Sequence, residues 1–572
     1  MGTNQPTCNM YFELITYAIV GIVLLNKPAF AEDDKNDHLH ERVDGQSNGQ
    51  PVVDTTYGTV HGIYLDEARA FLAIPYAAPP VGDLRWAPPQ EPEPWSEPRN
   101  ATEHCLQCPQ LPYNETKMSE DCLYVNIYTP LDANPTTKYP VIVLLYGGFF
   151  IQNSNSVPKF DGRFIANSSA VTVAPNFRIG ALGFLYTGED TILGNFAILD
   201  QQAALRFVQN NIAAFGGDPS KVTLMGPSSA SEMIAIHLIS PLSDNLFHQA
   251  IMTSIYFSST FREADADAPR FGKKFARYVG CLLASPVCLR KLPVQDIIRT
   301  QSLMMYSDIG NVAEESPLQY FQRWSPVVDG DIVPMQLMEA FETKQFQRKP
   351  MIIGVNRDDA RLFAFLMNQK PLNLPTYLRH ILDFFPAVKA AKIVKQYPPF
   401  IRADNRHSLG VLLTDFTAVC SSRFVSGIVK SSNIPVYHYI YDNPLPQNFS
   451  SPDFCVDYSC HNGDSLFRYN NAILQNYTYN ATEERLAESM IYYWTNFAHT
   501  GNPDDDDWRA ETKDFPLWPA YDTNDKWPSM RFTQPDNGLF LDYRSSECKF
   551  WDEIGYRGRR FKRTLYNRFW VR

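Results

Sequence analysis

The sequence predicts an α/β fold with a large, mostly parallel central sheet and helices on both faces. Two observations lead to it. The segments Val141-Ile-Val-Leu-Leu145 and Val171-Thr-Val173 are apolar without alternation, so such strands must be covered on both sides, as in a sheet flanked by helices. The stretch from Val222 to Ile239 reads as a strand, a tight turn carrying Ser228, and an apolar helix. That order lifts one side chain clear of the end of a sheet strand.

Along the chain, the apolar run Tyr17 to Leu25 followed by Ala29-Phe30-Ala31 has the form of a signal peptide, expected to span residues 1–31. A transmembrane anchor is the competing reading, and the run is shorter than the ~20 residues a bilayer span needs. Residues 32–51 are polar and charged and are expected to be a disordered leader. The folded domain is expected over 52–552. Within it, Val141 to Leu145 ends in Tyr146-Gly147-Gly148, and Val171 to Val173 runs into Pro175-Asn176. Between Asn195 and Ala214, Ile198, Ala203, Leu205, Val208 and Ile212 recur near helical spacing, and Gly216-Gly217-Asp218-Pro219 stops the helix. The strand Val222 to Met225 follows, then the turn Gly226-Pro227-Ser228-Ser229-Ala230 and a helix over Met233 to Ile239. The acidic run Asp504 to Asp507 lacks calcium-loop spacing and is expected to be a solvated loop. The last segment, 553–572, is a basic tail with seven Lys or Arg and no acid from Arg557 to Arg572.

Composition bounds the function. Hydrophobic residues at 44% with 20% charged residues describe a folded core, and the net charge of -11 disfavours a nucleic-acid partner. Six N-x-Ser/Thr sequons, at Asn100, Asn114, Asn167, Asn448, Asn476 and Asn480, are candidate glycosylation sites and fit a secreted, extracellular protein. Ten cysteines without a zinc-type arrangement point to an oxidising compartment and away from a metal site. Losing Cys8 with the signal leaves an odd number.

A serine hydroxyl needs a neighbouring base to become a nucleophile, and a sharp turn with small residues at Gly226 and Ala230 would expose it. Roughly 80 residues upstream, Tyr146-Gly147-Gly148-Phe149-Phe150 is a glycine loop at a strand end whose N–H groups can hold an oxyanion. Around these lie Phe71 to Trp86, Ser119-Glu-Asp-Cys-Leu-Tyr-Val-Asn126, Asn176 to Phe184, Phe215-Gly-Gly-Asp-Pro219, Pro326-Val-Val-Asp-Gly330, Gly354 to Asp359, Cys460-His461 and Phe497 to Pro503. Together these strings resemble the type-B carboxylesterase and cholinesterase-like family, of α/β-hydrolase fold, over about residues 52 to 552.

The resemblance implies Ser228 as nucleophile, Asp359 as triad acid and His461 as general base. It implies Gly147, Gly148 and the Ser229 N–H as the oxyanion hole. Asp358 is the nearest rival to Asp359, while His237 and His499 compete with His461 but fall in structural contexts. The resemblance also implies disulfides Cys108–Cys122, Cys281–Cys288 and Cys420–Cys548. Cys455 with Cys460 could close a small loop, leaving Cys105 single. The expected substrate is a small-molecule ester, with no metal and no cofactor. A homodimer and an extracellular polyanion bound through the basic tail are open as partners.

Departures from the family pattern cluster at the site. Pro227 stands where the family has Glu in G-E-S-A-G, Phe149 replaces the third loop glycine, and the acid is shortened to Asp359. Ile255 and Ala360 stand where the family often has glycine. The segment Gln110 to Lys117, just before Met118, where cholinesterases place the tryptophan that binds their cation, contains no tryptophan, although Tyr113 lies within it and Tyr146 is a cholinesterase-like choice. The sequence therefore supports two functions: a secreted serine ester hydrolase, or a catalytically impaired binding or adhesion member of the same fold. A lipase with an interfacial lid has no positive sequence evidence.

Overall fold

The computed structural model describes residues 49–306, 319, 321–446, 449, 452–524 and 526–557. The expected signal peptide, most of the leader, Asn448 and the tail beyond Arg557 lie outside them.

The central sheet contains, in chain order, β1 (Ile63–Tyr64), β2 (Arg69–Pro75), β3 (Tyr124–Thr129), β4 (Tyr139–Leu144), β5 (Val171–Pro175), β6 (Gly217–Pro227), β7 (Gln249–Thr253), β8 (Met351–Asn356), β9 (Val436–Tyr441), β10 (Ser529–Phe532) and β11 (Gly538–Phe540). Their spatial order is β11-β10-β9-β8-β7-β6-β4-β5-β3-β2-β1. The run from β5 across to β10 is parallel, and the strands at both margins are antiparallel. Val141 to Leu144 and Val222 to Met225 are buried at every position, as strands covered on both faces must be.

Helices supply that cover. The expected helix after Asn195 is α1 (Phe196–Asn211). It tightens into a 3-10 turn over Ile212–Phe215 and ends at Gly216, whose φ of 88° is a left-handed cap. The strand behind it starts earlier than expected, at Gly217, because Gly217 pairs with Tyr139 across a register shift. The helix after the serine, α2 (Ser229–Ile239), likewise begins at Ser229 and not at Met233, since helical hydrogen bonding resumes directly after the turn. Glu232 N–H already donates to Ser228 O at 3.2 Å.

Several recognised strings hold the frame. Arg85 Nε donates to Glu120 Oε1 at 2.6 Å, joining two of them. Arg178 is bound bidentately by buried Asp200, with Nε to Oδ2 at 2.8 Å and Nη2 to Oδ1 at 2.7 Å. The acidic run at 504 is less solvated than expected: Asp504 accepts from Trp518 N–H at 2.7 and 2.8 Å, and Asp506 accepts from Tyr492 Oη. The half-buried acidic turn is here an anchor for the following loop.

Among the described residues four disulfides are present: Cys108–Cys122, Cys281–Cys288, Cys420–Cys548 and Cys455–Cys460. Cys105 is single and half-buried, and burial raises its thiol to about 12, so it stays protonated. The Cys420–Cys548 bridge closes 128 residues and ties α3 (Cys420–Ser431) to α4 (Ser545–Ile554). Cross-linking a loop of that size removes unfolded-state entropy worth about 2–5 kcal/mol. The Cys420→Ser, Cys548→Ser double variant should therefore unfold several degrees lower in calorimetry, and an unchanged transition would show that the bridge is dispensable.

Candidate active site

Ser228 sits between the end of β6 and the start of α2 with φ 58° and ψ -130°, a region sparsely populated by residues with side chains and held only when the surroundings over-determine it. Those surroundings are tight. A Cβ at Gly226 would lie 2.7 Å from Ala230 Cβ and 2.8 Å from Leu145 O, and one at Gly147 would lie 2.4 Å from Pro227 O. Ser228 N–H donates to Thr253 O at 2.9 Å, extending the pairing of β6 with β7. Pro227 costs this ladder nothing visible, since it occupies the last position of β6 opposite Thr253.

Ser228 Oγ lies 2.9 Å from His461 Nε2, and His461 Nδ1 lies 2.6 Å from Asp359 Oδ1. These three are thus brought together from elements 102 and 233 residues from His461. Asp359 is positioned by its own turn beyond β8, where its Oδ2 accepts from Asn356 N–H at 2.9 Å. His461 N–H donates to Asp359 O at 3.1 Å. Asn356 Nδ2 donates to Cys460 O at 2.6 Å, so one side chain links the acid turn to the disulfide-closed histidine loop. The next residue, Ala360, donates its N–H to Thr414 Oγ1 at 2.9 Å, and Thr414 opens a π-helical turn over Thr414–Val419. Burial pushes the Asp359 carboxyl up, but the neighbouring imidazole and the hydrogen bonds from His461, Tyr256 and Asn356 outweigh it and hold the group below its ordinary value. Asp359 is therefore ionised.

The rival residues are engaged elsewhere. Asp358 Oδ2 accepts from Arg357 Nε at 3.0 Å and from Ser459 N–H at 3.2 Å. His237 is buried between Ser243 Oγ at 2.8 Å and Gln201 Oε1 at 2.9 Å, and burial lowers it to about 3. His499 stacks on Trp508 with ring centroids 3.5 Å apart and bonds Ser169 O. Tyr146 is buried, stacked on Phe177, and donates to Phe177 O at 3.0 Å.

The oxyanion loop differs from expectation. Gly148 N–H, assigned to the reacting oxygen, donates instead to Ser229 Oγ at 3.0 Å, and Phe150 N–H donates to the same hydroxyl at 3.3 Å. The cause is the hydroxyl itself, which the family's alanine at this place lacks. Gly147 O accepts from Asn153 Nδ2 at 2.5 Å, while Ser229 N–H stands at the N-terminus of α2, where N–H groups have no helical partner. Phe149 has φ 55°, and its ring packs near Phe321 and Phe363, which in turn lies 5.0 Å from the His461 ring.

Two further side chains complete the site, and neither was legible in the motifs. Tyr256 Oη donates to Asp359 Oδ1 and lies 2.6 Å from His461 Nδ1; its phenol is raised well above the ordinary value by burial and then by the Asp359 charge. The phenol fills space next to the shortened acid. Glu232, one turn into α2, is fully buried and accepts from Gln322 Nε2 at 2.8 Å and Ser259 Oγ at 3.1 Å. Its Oε2 has no partner among the described residues. Burial raises this carboxyl to about 8 against those hydrogen bonds. A folded pKa above the unfolded value of ~4.3 contributes stability that is present below that value and lost as pH rises. The loss is complete only above the folded value of about 8. Glu232→Gln keeps an acceptor without the ionisation, so it should raise the melting temperature more at about pH 9 than at about pH 5. Equal shifts at both pH values would contradict the assignment.

Among the described residues no group of His, Cys, Asp and Glu is arranged to hold a metal ion. The five described sequon asparagines, Asn100, Asn114, Asn167, Asn476 and Asn480, are exposed.

A mixed eleven-stranded sheet carrying a serine on the strand-to-helix turn, with acid and histidine on later loops, defines an α/β-hydrolase. The carboxylesterase family model matches residues 49–551, and the chain belongs to that family. It is similar to the crystal protein of Dictyostelium discoideum, at 35% identity over 78% of this chain and 81% of that protein. It is also similar to the cAMP-regulated D2 protein of the same organism, at 35% over 79% and 84%. The pyrethroid hydrolase Ces2a of Mus musculus is 31% identical over 90% of this chain and 93% of its own length.

Proposed function

We propose that the protein is a secreted serine hydrolase that cleaves carboxylic esters through an acyl-enzyme on Ser228. The observation that carries this is the continuous contact from Ser228 Oγ to His461 Nε2 and from His461 Nδ1 to Asp359 Oδ1. With the ring proton on Nδ1 facing ionised Asp359, Nε2 is free to take the serine proton as Oγ attacks the ester carbonyl. The imidazolium then returns that proton to the leaving alcohol. Water, deprotonated the same way, releases the acid and regenerates Ser228. The Ser229 N–H supports the oxyanion at the start of α2. The absence of a tryptophan from the segment Gln110 to Lys117 favours a neutral ester over a choline ester, and the relative named a pyrethroid hydrolase is consistent with that. Secretion is supported by the signal-like N-terminus and four disulfides. Labelling by a fluorophosphonate probe, together with turnover of short p-nitrophenyl esters, tests the reading; a protein that does neither is not an esterase.

A second reading, a catalytically impaired binding protein, is favoured by one observation: Gly148 N–H is already taken by Ser229 Oγ. Phe149 adds to it, because its side chain occupies a left-handed backbone position that glycine adopts without strain. Phe149→Gly is expected to raise ester turnover about tenfold by freeing the loop to meet the oxyanion. A lower rate in a folded variant would show instead that the ring helps to place His461 through Phe363.

A further inference from the structure

From Ala268 to Lys291 the chain carries six basic residues and no acidic one, although its net charge is -11. The helix Ala268–Tyr278 carries four of them and sorts these onto one side. Arg270, Lys273, Lys274 and Arg277 recur at i, i+3, i+4 and i+7, a single helical stripe. Phe271 and Phe275 take the other side, with ring centroids 4.9 and 5.3 Å from that of buried Trp324. Directly after the helix, the Cys281–Cys288 bridge closes a short loop. Its tip presents Leu282 and Leu283 at 76% and 91% exposure, beside Val287 and Tyr278 at 65% and 55%.

This apolar tip is held outward. Cys281 N–H donates to Ala276 O at 2.7 Å and Ala284 N–H to Cys281 O at 2.9 Å, so the two leucines sit on a turn pinned at each end. On the far side of the loop, Arg290 Nε donates to Arg85 O at 2.8 Å, and Arg85 Nη1 donates to Leu292 O at 2.6 Å. Water is a poor environment for two adjacent leucines on a rigid tip, and polar residues would serve the turn equally well. A polysaccharide or other polyanion would use the basic stripe and leave the leucines wet. An anionic bilayer satisfies both halves: the apolar tip enters the boundary between headgroups and acyl chains, and the basic stripe meets the phosphates.

We propose that the helix Ala268–Tyr278 and the Cys281–Cys288 loop form a docking face for a lipid bilayer with anionic headgroups, with Leu282 and Leu283 as the inserted residues. This does not depend on the esterase reading. The test is co-sedimentation of the full chain with vesicles of phosphatidylcholine, with and without phosphatidylserine. The parent should bind the anionic vesicles, and the Leu282→Asp, Leu283→Asp double variant should bind them at least about tenfold more weakly. Lys273→Glu with Arg277→Glu should weaken binding to a similar degree and flatten its dependence on salt. Circular dichroism and thermal unfolding check that both variants are folded. Undiminished binding of the leucine variant would remove Leu282 and Leu283 as the inserted residues and overturn the proposal, and undiminished binding of both variants would assign the affinity to the C-terminal basic tail, which both retain. Equal binding to vesicles without phosphatidylserine, or retention on heparin without any vesicle binding, would overturn it as well.

Discussion

Ser228→Ala is expected to lower ester turnover by about 10⁴- to 10⁶-fold and to abolish fluorophosphonate labelling, because the residues of such a triad act as one unit. The structure makes the variant a clean probe. Alanine retains the Cβ at φ 58°, and the backbone bond from residue 228 N–H to Thr253 O persists, so the turn should survive. His461 keeps its contacts with Asp359 and Tyr256. Single-turnover labelling and steady-state assays of the two proteins side by side would decide. Turnover surviving in the variant at the parent's rate would place the nucleophile elsewhere and remove the basis of the proposed function.

Ser229→Ala should do the opposite and raise turnover about 10- to 100-fold. Its hydroxyl accepts two backbone N–H groups, from Gly148 and Phe150. A substrate oxyanion that uses Gly148 must first displace that hydroxyl. Each such hydrogen bond is worth roughly 0.5–1.5 kcal/mol net, so removing both obstacles lowers the barrier by about 1–3 kcal/mol. The same change leaves two N–H groups without their acceptor in the resting protein, so the variant should also melt lower, an exchange of stability for activity common at such sites. A variant that melts lower without gaining rate would show that Gly148 N–H is not recruited. The other face of that result would favour the binding-protein reading.

Much of this site was legible in the chain. The uninterrupted apolar runs at Val141 and Val171, the glycine stop at Gly216, and small residues at Gly226 and Ala230 all act on their immediate neighbours. Each could be read from a few consecutive residues. Ser228, Asp359 and His461 were assigned by likeness of motifs, and the structure places them within hydrogen-bonding distance of one another in sequence. What no local pattern signalled was the role of side chains whose partners are remote. Tyr256 meets groups 103 and 205 residues away, and nothing in the residues around it distinguishes it from an ordinary core tyrosine. Glu232 falls just before the helix predicted over Met233 to Ile239, and no motif singled it out. Asp504, expected in solvent, is fastened to Trp518 N–H.

Ser229 shows the division most sharply. The amino-acid sequence by itself determined that a second hydroxyl follows Ser228, that the strand, turn and helix would form around it, and that a glycine loop lay upstream. Tertiary structure alone decided that this hydroxyl would take the N–H of Gly148, 81 residues away. Strands, caps and turns are set by steric and hydrogen-bonding preferences that operate over a few residues, whereas the choice of acceptor for a loop N–H depends on how the ends of β4 and β6 are brought together by sheet packing. That distance is fixed by the whole fold and is written in no single segment.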